Sequence, residues 1–325
     1  MKELDELYMR RCITLAHNGL GSVQPNPMVG AVIVVDGKVV GEGWHKKYGG
    51  PHAEINAINS LSDKELLKKA TMYVNLEPCA HFGKTPPCAN ALVECGVKRV
   101  VIGSTDPNPK VNGKGIGILR AAGIEVTIGV LQKECDFLNR RFFTFHNKKR
   151  PYIILKWAQT KDGYMDILRP DPEKEYKYWI TNAELRTLTH KWRSEEDAIL
   201  VGYNTFKNDK PLLTNRLYSG KNPVPVVLGR NEIKIGDNLF SLSSENNSMD
   251  EIMQLLYNQN IQSVIVEGGR KTLDRFLEAD LYDEVRILVG NKIWGEGVPA
   301  PSLPAQPSKD LSVAGDTVKY IFRQK

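Results

Sequence analysis

The sequence has no long hydrophobic run and no low-complexity tract. The first absence excludes a transmembrane helix. The second, together with 41% hydrophobic and 25% charged residues, excludes a disordered chain. Residues 1–17 carry acidic side chains among apolar positions at helical spacing, which is unlike a secretory signal peptide. We therefore expect a globular protein in the cytoplasm.

Cysteine is scarce, with five residues in 325. A small odd number in a chain without a secretory signal argues against a disulfide framework and favours metal ligands and buried thiols. Cys12, Cys95 and Cys135 lie in helix-like segments with no ligand partner nearby, so we predict that they are buried thiols. Cys79 and Cys88 remain as candidate metal ligands.

The sequence also has no dense run of basic residues. The net charge of +6 is spread along the chain, which does not favour a groove for nucleic acid. We predict neither a nucleic-acid partner nor a membrane partner.

The length of 325 residues exceeds the roughly 250 to 300 at which one hydrophobic core stops growing, so the sequence predicts two domains. In the first half, the pattern predicts a helix over 5–17, an Asp36-Gly37 hairpin between strands at 29–35 and 38–42, strands at 71–76 and 97–103, and helices starting near 51 and 88. The segment 142–150 breaks this alternation just before Pro151. We place the boundary there, which gives domains 1–147 and 148–325.

The second half again alternates strand and helix. Apolar runs predict strands at 152–157, 198–201, 224–228, 264–266 and 285–289, and helical spacing marks 183–192 and 272–277. No Gly-x-Gly-x-x-Gly fingerprint follows a strand. Gly268-Gly269 lies between a strand and a helix, where glycines serve either to cradle a phosphate or to make a tight connection.

The first half carries a hydrolytic zinc pattern. His52-Ala-Glu54 is followed by a strand, Pro78-Cys79 and Cys88. In zinc deaminases a histidine and two thiolates hold the metal, the metal acidifies a water, and a glutamate two residues past the histidine transfers protons. We predict zinc ligands at His52, Cys79 and Cys88, with His52 and Cys88 at the starts of two helices, and a catalytic Glu54.

The spacing of the two thiols is unusual, because residues 80–87 separate them where two residues are typical. This insertion includes His81 and Lys84, which are either contacts to an anionic ligand or parts of a solvated loop. A structural zinc site with His81 as its fourth ligand is the alternative to catalysis.

Three motifs in the first half resemble the deaminase half of the bifunctional riboflavin-biosynthesis deaminase/reductase family: Pro25-Asn-Pro-Met-Val-Gly30, His52-Ala-Glu54, and Glu77-Pro-Cys through Pro-Pro-Cys88. Segments of the second half resemble its reductase half. They are Arg150-Pro-Tyr-Ile-Ile-Leu-Lys156, Asp162-Gly163, Trp179-Ile-Thr181, Asp197 to Gly202, Asp209-Lys-Pro-Leu-Leu-Thr214, Arg216 and Val266-Glu-Gly-Gly269.

The resemblance implies an α/β fold with an N-terminal cytidine-deaminase-like three-layer domain and a C-terminal dihydrofolate-reductase-like domain. It implies zinc-dependent deamination of 2,5-diamino-6-ribosylamino-4(3H)-pyrimidinone 5′-phosphate, followed by NADPH reduction of the ribosyl group to ribityl. It also implies a homodimer or homotetramer. Deaminase substrate contacts fall on Asn26, His45, His81, Lys84 and Asn108.

The resemblance also places the reductase contacts. Cofactor contacts fall on Ala158, Trp179, Thr205, Asp209, Gly269, Arg270, Lys271, Thr272, Leu273, Asp274 and Arg275. Substrate contacts fall on Lys177, Arg193, Leu213, Arg216 and Glu267. Lys156 and Glu267 are the candidates for protonating the ribosyl ring oxygen or stabilising an imine.

Two positions depart from the family pattern. Lys177 replaces a serine, and Tyr164-Met165-Asp166 replaces a basic residue followed by small apolar ones. Two other functions remain open. One is a polynucleotide- or nucleoside-acting zinc deaminase with an appended non-reductase domain, and the other is a zinc-stapled scaffold without catalysis.

Overall fold

The computed structural model describes residues 2–80, 86–109, 111–168, 178–229, 240–243, 247–303 and 307–323. The chain divides into two compact units, Met1–Lys148 and Lys149–Lys325. Each is a mixed α/β structure with its own sheet and core, as the predicted fold class requires. Among the described residues, no helix has both the length and the apolar character needed to cross a bilayer.

Among its described residues, the first unit contains five strands and six α-helices. The strands are β1 (Gly30–Val35), β2 (Lys38–Trp44), β3 (Thr71–Leu76), β4 (Arg99–Ser104) and β5 (Glu125–Ile128). The helices are α1 (Lys2–Ala16), α2 (Ala53–Asn59), α3 (Cys88–Glu94), α4 (Lys114–Ala121), α5 (Gln132–Leu138) and α6 (Arg140–Lys148), with 3-10 turns at His17–Gly19 and Lys64–Lys69.

The sheet of this unit has the order β2-β1-β3-β4-β5. The predicted hairpin is confirmed: β1 pairs antiparallel with β2, and Asp36 and Gly37 both have positive φ, as a two-residue type I′ turn requires. β3, β4 and β5 run parallel. Their carboxyl ends therefore meet at one edge, where functional loops gather in open α/β sheets.

Helices cover both faces of this sheet. Ile33 packs in a core with α2, α3 and α4, whereas Val32 and Val34 pack on the opposite face with α1 and α5. The packing of α2 on β2 requires a glycine, since a Cβ at Gly43 would lie 2.3 Å from the backbone nitrogen of Ala57. This close approach determines the position of α2 on the sheet, and the candidate zinc ligand His52 is the N-cap of that helix.

The segment 142–150, where the sequence placed the domain boundary, contains part of a helix that was not predicted. Residues 140–148 form α6, which buries Phe142 and Phe145 one turn apart. The run of basic residues near its end obscured this helical spacing, and Pro151 marks the region just past its end.

The second unit contains ten strands and four helices among its described residues. The strands are β6 (Tyr152–Gln159), β7 (Tyr164–Asp166), β8 (Ala198–Gly202), β9 (Val224–Gly229), β10 (Phe240–Ser243), β11 (Ser263–Val266), β12 (Glu284–Val289), β13 (Val298–Pro299), β14 (Lys309–Val313) and β15 (Asp316–Phe322). The helices are α7 (Ala183–Glu195), α8 (Tyr203–Asp209), α9 (Met249–Asn258) and α10 (Arg270–Glu278).

The main sheet of this unit has the order β10-β9-β8-β11-β6-β12-β15-β14. It is parallel from β10 to β12, and β15 then pairs antiparallel with both β12 and β14. One face packs against α9 and α10, and the other packs against α7. β7 and β13 form a separate two-stranded pair that contains the departure at Tyr164 to Asp166.

Candidate active sites

Three soft ligands converge in the first unit. His52 is the N-cap of α2, Cys88 is the first residue of α3, and Cys79 lies on the segment that follows β3. Their ligand atoms all lie within 4.8 Å of one another. In the part of the chain that the structure describes, no other group of His, Cys, Asp and Glu converges in this way.

The spacing of these atoms fits a tetrahedral zinc ion. Nδ1 of His52 lies 3.5 Å from Sγ of Cys79 and 3.4 Å from Sγ of Cys88. Zn–N and Zn–S bonds at a tetrahedral angle place the nitrogen about 3.6 Å from each sulfur. The backbone N–H of Cys88 donates to Sγ of Cys79 over 3.2 Å. Hydrogen bonding from Cys88 and His52 lowers the pKa of the Cys79 thiol, which favours the thiolate that binds metal.

Glu54 lies in the first turn of α2 and is 3% exposed. Burial raises its pKa to about 7. Its carboxylate does not belong to the group of converging ligand atoms. Three candidate metal donors therefore lie together, and one buried carboxylate lies apart from them.

Asn26 and His45 lie next to the candidate ligands. The imidazole of His45 packs edge-on against that of His52, with ring centroids 5.3 Å apart. Nδ1 of His45 donates to the Pro51 carbonyl over 3.0 Å, so its Nε2 accepts from Nδ2 of Asn26 over 3.1 Å. These two hydrogen bonds fix the tautomer of His45. They leave the side-chain oxygen Oδ1 of Asn26 for other partners.

Two buried amides hold the segment that carries Asn26. Asn139 accepts from the N–H of Met28 and donates to its carbonyl, and Asn75 donates to the same carbonyl and accepts from the N–H of Gly30. No motif in the sequence points to these amides. They are 45 to 111 residues away along the chain, and only the folded sheet brings them to this loop.

Glu77 holds the loop that carries Asn108. Its buried carboxylate accepts from the backbone N–H groups of Asp106, Gly113 and Ile116 over 3.0 to 3.2 Å. Asn108 follows β4, whereas Glu77 follows the neighbouring parallel strand β3. Glu77 belongs to the motif at Cys79, but this positioning role was not visible in the sequence. His81 and Lys84 lie outside the described residues.

In the second unit, predicted cofactor and substrate residues meet in one cavity of about 450 Å³. Those that line it are Lys156, Ala158, Trp179, Arg193 and Arg216. It is also lined by residues to which no sequence motif points, including Arg186 and His190 of α7. Lys177 lies outside the described residues.

Three predicted residues of this cavity region form a nearly buried charge cluster. Nζ of Lys156 lies 3.2 Å from Oε2 of Glu267, and Arg193 binds both carboxylate oxygens of Glu267 at 2.8 and 2.9 Å. Burial opposes ionisation of Glu267, but the attraction of Lys156 and Arg193 outweighs it and lowers the pKa to about 2. Glu267 is therefore a carboxylate at neutral pH.

The Gly268-Gly269 turn is a tight connection. A Cβ at Gly268 would lie 2.5 Å from the backbone nitrogen of Gly202, so the turn packs directly on the end of β8. The N–H of Gly269 donates to Oγ1 of Thr205 over 2.8 Å. The sequence left two explanations of these glycines open, a phosphate cradle and a tight connection. The close packing of the turn on β8 is sufficient to explain why glycine is needed at Gly268.

The remaining predicted contacts have mixed surroundings. Leu213 and Leu273 are buried in the core, and Thr272 is 9% exposed. The guanidinium of Arg270 binds Asp274 and the carbonyls of residues 299 and 300. Asp209 ends α8 and is exposed, and Lys271 and Arg275 lie in α10.

Comparisons with known proteins give the same division. Residues 2–104 match the cytidine and deoxycytidylate deaminase zinc-binding region, and residues 151–318 match the RibD C-terminal domain. The chain is 39% identical over 327 residues to riboflavin biosynthesis protein RibD of Aquifex aeolicus, covering 92% of this chain and 90% of that protein. Its first part is 55% identical over 139 residues to a diaminohydroxyphosphoribosylamino-pyrimidine deaminase of Buchnera aphidicola, covering 43% of this chain and 93% of that one.

A solved structure agrees over the whole length. A diaminohydroxyphosphoribosylaminopyrimidine deaminase/5-amino-6-(5-phosphoribosylamino)uracil reductase from Thermotoga maritima superposes with a TM-score of 0.87. It is 38% identical in sequence and covers 99% of both chains. The chain therefore belongs to the RibD family of riboflavin biosynthesis proteins.

Proposed function

We propose that this chain performs two successive reactions of riboflavin biosynthesis. It removes the ring amine of 2,5-diamino-6-ribosylamino-4(3H)-pyrimidinone 5′-phosphate by hydrolysis, and it then reduces the ribosyl group of the product to ribityl with NADPH. The observation that carries the first reaction is the set of converging donors at His52, Cys79 and Cys88, with Glu54 held apart from them. Two family matches in sequence support the division between Met1–Lys148 and Lys149–Lys325.

His52, Cys79 and Cys88 would hold a zinc ion for the first reaction, and when bound it would supply a Lewis acid that makes a water nucleophilic near neutral pH. Glu54 would accept one proton from this water and pass it to the ring nitrogen, and would then carry the second proton of the same oxygen to the leaving amine. A carbon–oxygen bond forms, the carbon–nitrogen bond breaks, and ammonia leaves. Asn26 presents an amide oxygen that suits the polar edge of a pyrimidine, and His45 holds that amide in place.

In the second reaction, NADPH supplies the hydride that C1′ of the ribosyl group accepts. We assign the proton donor to Lys156 rather than Glu267, because Glu267 is ionised and has no proton to give. Lys156 protonates the ring oxygen as the C1′–oxygen bond breaks and the exocyclic nitrogen forms an iminium, which the hydride reduces. Arg193 and Arg216 line the same cavity and suit the 5′-phosphate.

The test uses purified, zinc-loaded protein and the diaminopyrimidine phosphate. We expect one ammonia for each substrate, followed by oxidation of one NADPH. Deamination of a polynucleotide or a nucleoside, with no activity on the ribosylaminopyrimidine, would contradict this proposal. It would favour a polynucleotide- or nucleoside-acting zinc deaminase with an appended non-reductase domain. Ammonia release without NADPH oxidation would limit the proposal to the first unit.

A Glu54→Gln variant separates catalysis from a scaffold. We expect it to keep zinc and fold while releasing no ammonia, because the amide occupies the same volume but accepts no proton. Loss of zinc and of the folded first unit would instead support the zinc-stapled scaffold. The homodimer or homotetramer stays a prediction, and light scattering of the purified protein tests it.

A further inference from the structure

The cavity of the second unit has an excess of positive charge. Lys156, Arg186, Arg193 and Arg216 line it, and Glu267 pairs with two of them. Four cations against one carboxylate leave a charge of +3. Such an excess at the wall of a partly enclosed cavity favours an anionic ligand.

His190 is a buried neutral group in the wall of this cationic cavity. It is 4% exposed and lies on α7, one turn after Arg186 and one turn before Arg193, so all three side chains share one face of the helix. Burial lowers the pKa of His190 to about 4, and the charges of Arg193 and Arg216 act in the same direction. At neutral pH it therefore carries one N–H donor and one acceptor nitrogen.

Nδ1 of His190 is sealed from solvent and has no hydrogen-bond partner among the described residues. A buried polar atom without a partner costs about 1 to 3 kcal/mol, and sealed N–H groups are rarer than sealed acceptors. The proton therefore sits on Nε2, while Nδ1 keeps its lone pair. The Nε2–H group of His190 is therefore a neutral hydrogen-bond donor among cationic side chains. It can bind an anion without adding a further positive charge that would repel the neighbouring cations.

We propose that His190 is a further ligand-contacting residue of the reductase, whose Nε2–H donates a hydrogen bond to a phosphate monoester bound in this cavity. This inference rests on the proposed function of the second unit. Two ligands of the reaction carry this chemistry: the ribosyl substrate through its 5′-phosphate, and NADPH through its 2′-phosphate.

The test compares His190→Leu with His190→Gln in steady-state reduction of the deaminated substrate. Leucine fills the volume without a donor, whereas the amide nitrogen of glutamine lies close to the position of Nε2. A hydrogen bond to a charged group predicts a rise in KM of about 10- to 100-fold in His190→Leu and a much smaller rise in His190→Gln. Thr187→Val is the control, because Thr187 lies on the same helix and is exposed, away from the residues that line the cavity.

Two arms identify the phosphate. If the substrate's phosphate is the ligand, the rise in KM disappears with the dephosphorylated substrate. If the cofactor's phosphate is the ligand, the rise appears for NADPH and not for NADH. An unchanged KM for every phosphorylated ligand in a folded His190→Leu variant would overturn the inference. Ammonia release by the first unit of the same protein reports its concentration, and chemical unfolding of the second unit checks that the variant is folded.

A direct measurement is an NMR titration of the histidine imidazole resonances of the wild-type protein against pH, with and without inorganic phosphate. The charged groups facing His190 are Lys156, Arg193, Arg216 and Glu267. A bound dianion offsets the three cations, so we expect phosphate to raise the pKa of His190 from about 4. Resonances that do not respond to phosphate would contradict the contact. Wild-type protein that oxidises no NADPH would defeat the proposed function itself, which is a separate outcome.

Discussion

Two buried glutamates of this chain have opposite ionisation behaviour. Burial raises the pKa of Glu54 to about 7, whereas Lys156 and Arg193 outweigh burial and lower the pKa of Glu267 to about 2. The sequence predicted both as functional residues, and Glu54 could be assigned from its spacing to His52. The state of Glu267 could not, because its two cations come from β6 and α7, 111 and 74 residues away.

The first prediction at this scale concerns the stability of the Glu267 cluster. Glu267→Gln leaves Lys156 and Arg193 as two facing cations whose side chains are only 12% and 14% exposed. Removing one member of a buried ion pair costs about 3 to 5 kcal/mol, and we expect the lower end because Lys156 can release its proton. Chemical unfolding of the second unit measures this loss. Asp280→Asn is the control, since Asp280 is 63% exposed and its pair with Arg323 contributes about 1 kcal/mol or less.

The second prediction concerns the pH dependence of reduction. Burial lowers the pKa of Lys156 below its ordinary value of 10.5, and the charge of Glu267 partly offsets this effect. Because the donor works when protonated, the reductase kcat should be level at low pH and fall as pH rises through the lowered pKa. Glu267→Gln removes the offset and should move this fall to a lower pH. The measurement is kcat against pH with the deaminated substrate. If the fall in kcat at high pH occurs at the same pH in wild-type protein and in Glu267→Gln, the role of Lys156 is contradicted.

At the scale of elements, local sequence patterns predicted the strands and turns whose formation depends on neighbouring residues. The hairpin of β1 and β2 and the strands β3, β4, β8, β9, β11 and β12 were predicted within a few residues, because each is a short apolar run bounded by turn residues. The pair of β14 and β15 was not predicted. Its turn uses Ala314 and Gly315 with positive φ, and alanine is not a residue that signals this conformation.

The third prediction tests how an element positions the zinc ligands. A Cβ at Gly43 would lie 2.3 Å from the Ala57 nitrogen and 2.7 Å from the Ala53 carbonyl oxygen, so Gly43→Ala must displace α2 from β2. We expect a loss of about 2 to 3 kcal/mol in the unfolding free energy of the first unit and weaker zinc retention, because His52 begins this helix. Zinc content after dialysis against a mild chelator measures the second effect.

Gly117→Ala is the matched control for this prediction. Gly117 lies in α4, and a Cβ there meets nothing within 4 Å. Alanine should therefore stabilise the unit by about 0.5 to 1 kcal/mol through helix propensity and leave zinc retention unchanged. Equal effects of the two substitutions would show that the contact between Gly43 and α2 is not the cause.

At the scale of the whole molecule, the two candidate sites depend on different elements. The candidate ligands His52, Cys79 and Cys88 belong to Met1–Lys148, and the described cavity belongs to Lys149–Lys325. The chain order of the motifs made the first set predictable, since zinc ligands must be specific residue types. The amides at Asn75 and Asn139, the carboxylate of Glu77 and the imidazole of His190 could not be predicted, because their roles arise only from contacts between distant segments.

The last prediction follows from this separation. Removing zinc with a chelator should abolish ammonia release, because the first reaction requires the metal held by His52, Cys79 and Cys88. The same sample should still oxidise NADPH when given the deaminated substrate, since the cavity that we assign to reduction lies in the second unit and the candidate zinc ligands lie in the first. Added zinc should restore ammonia release without changing the rate of reduction. Loss of both activities on chelation would mean that the fold or function of the second unit depends on the zinc site, and that the two reactions are not confined to separate units.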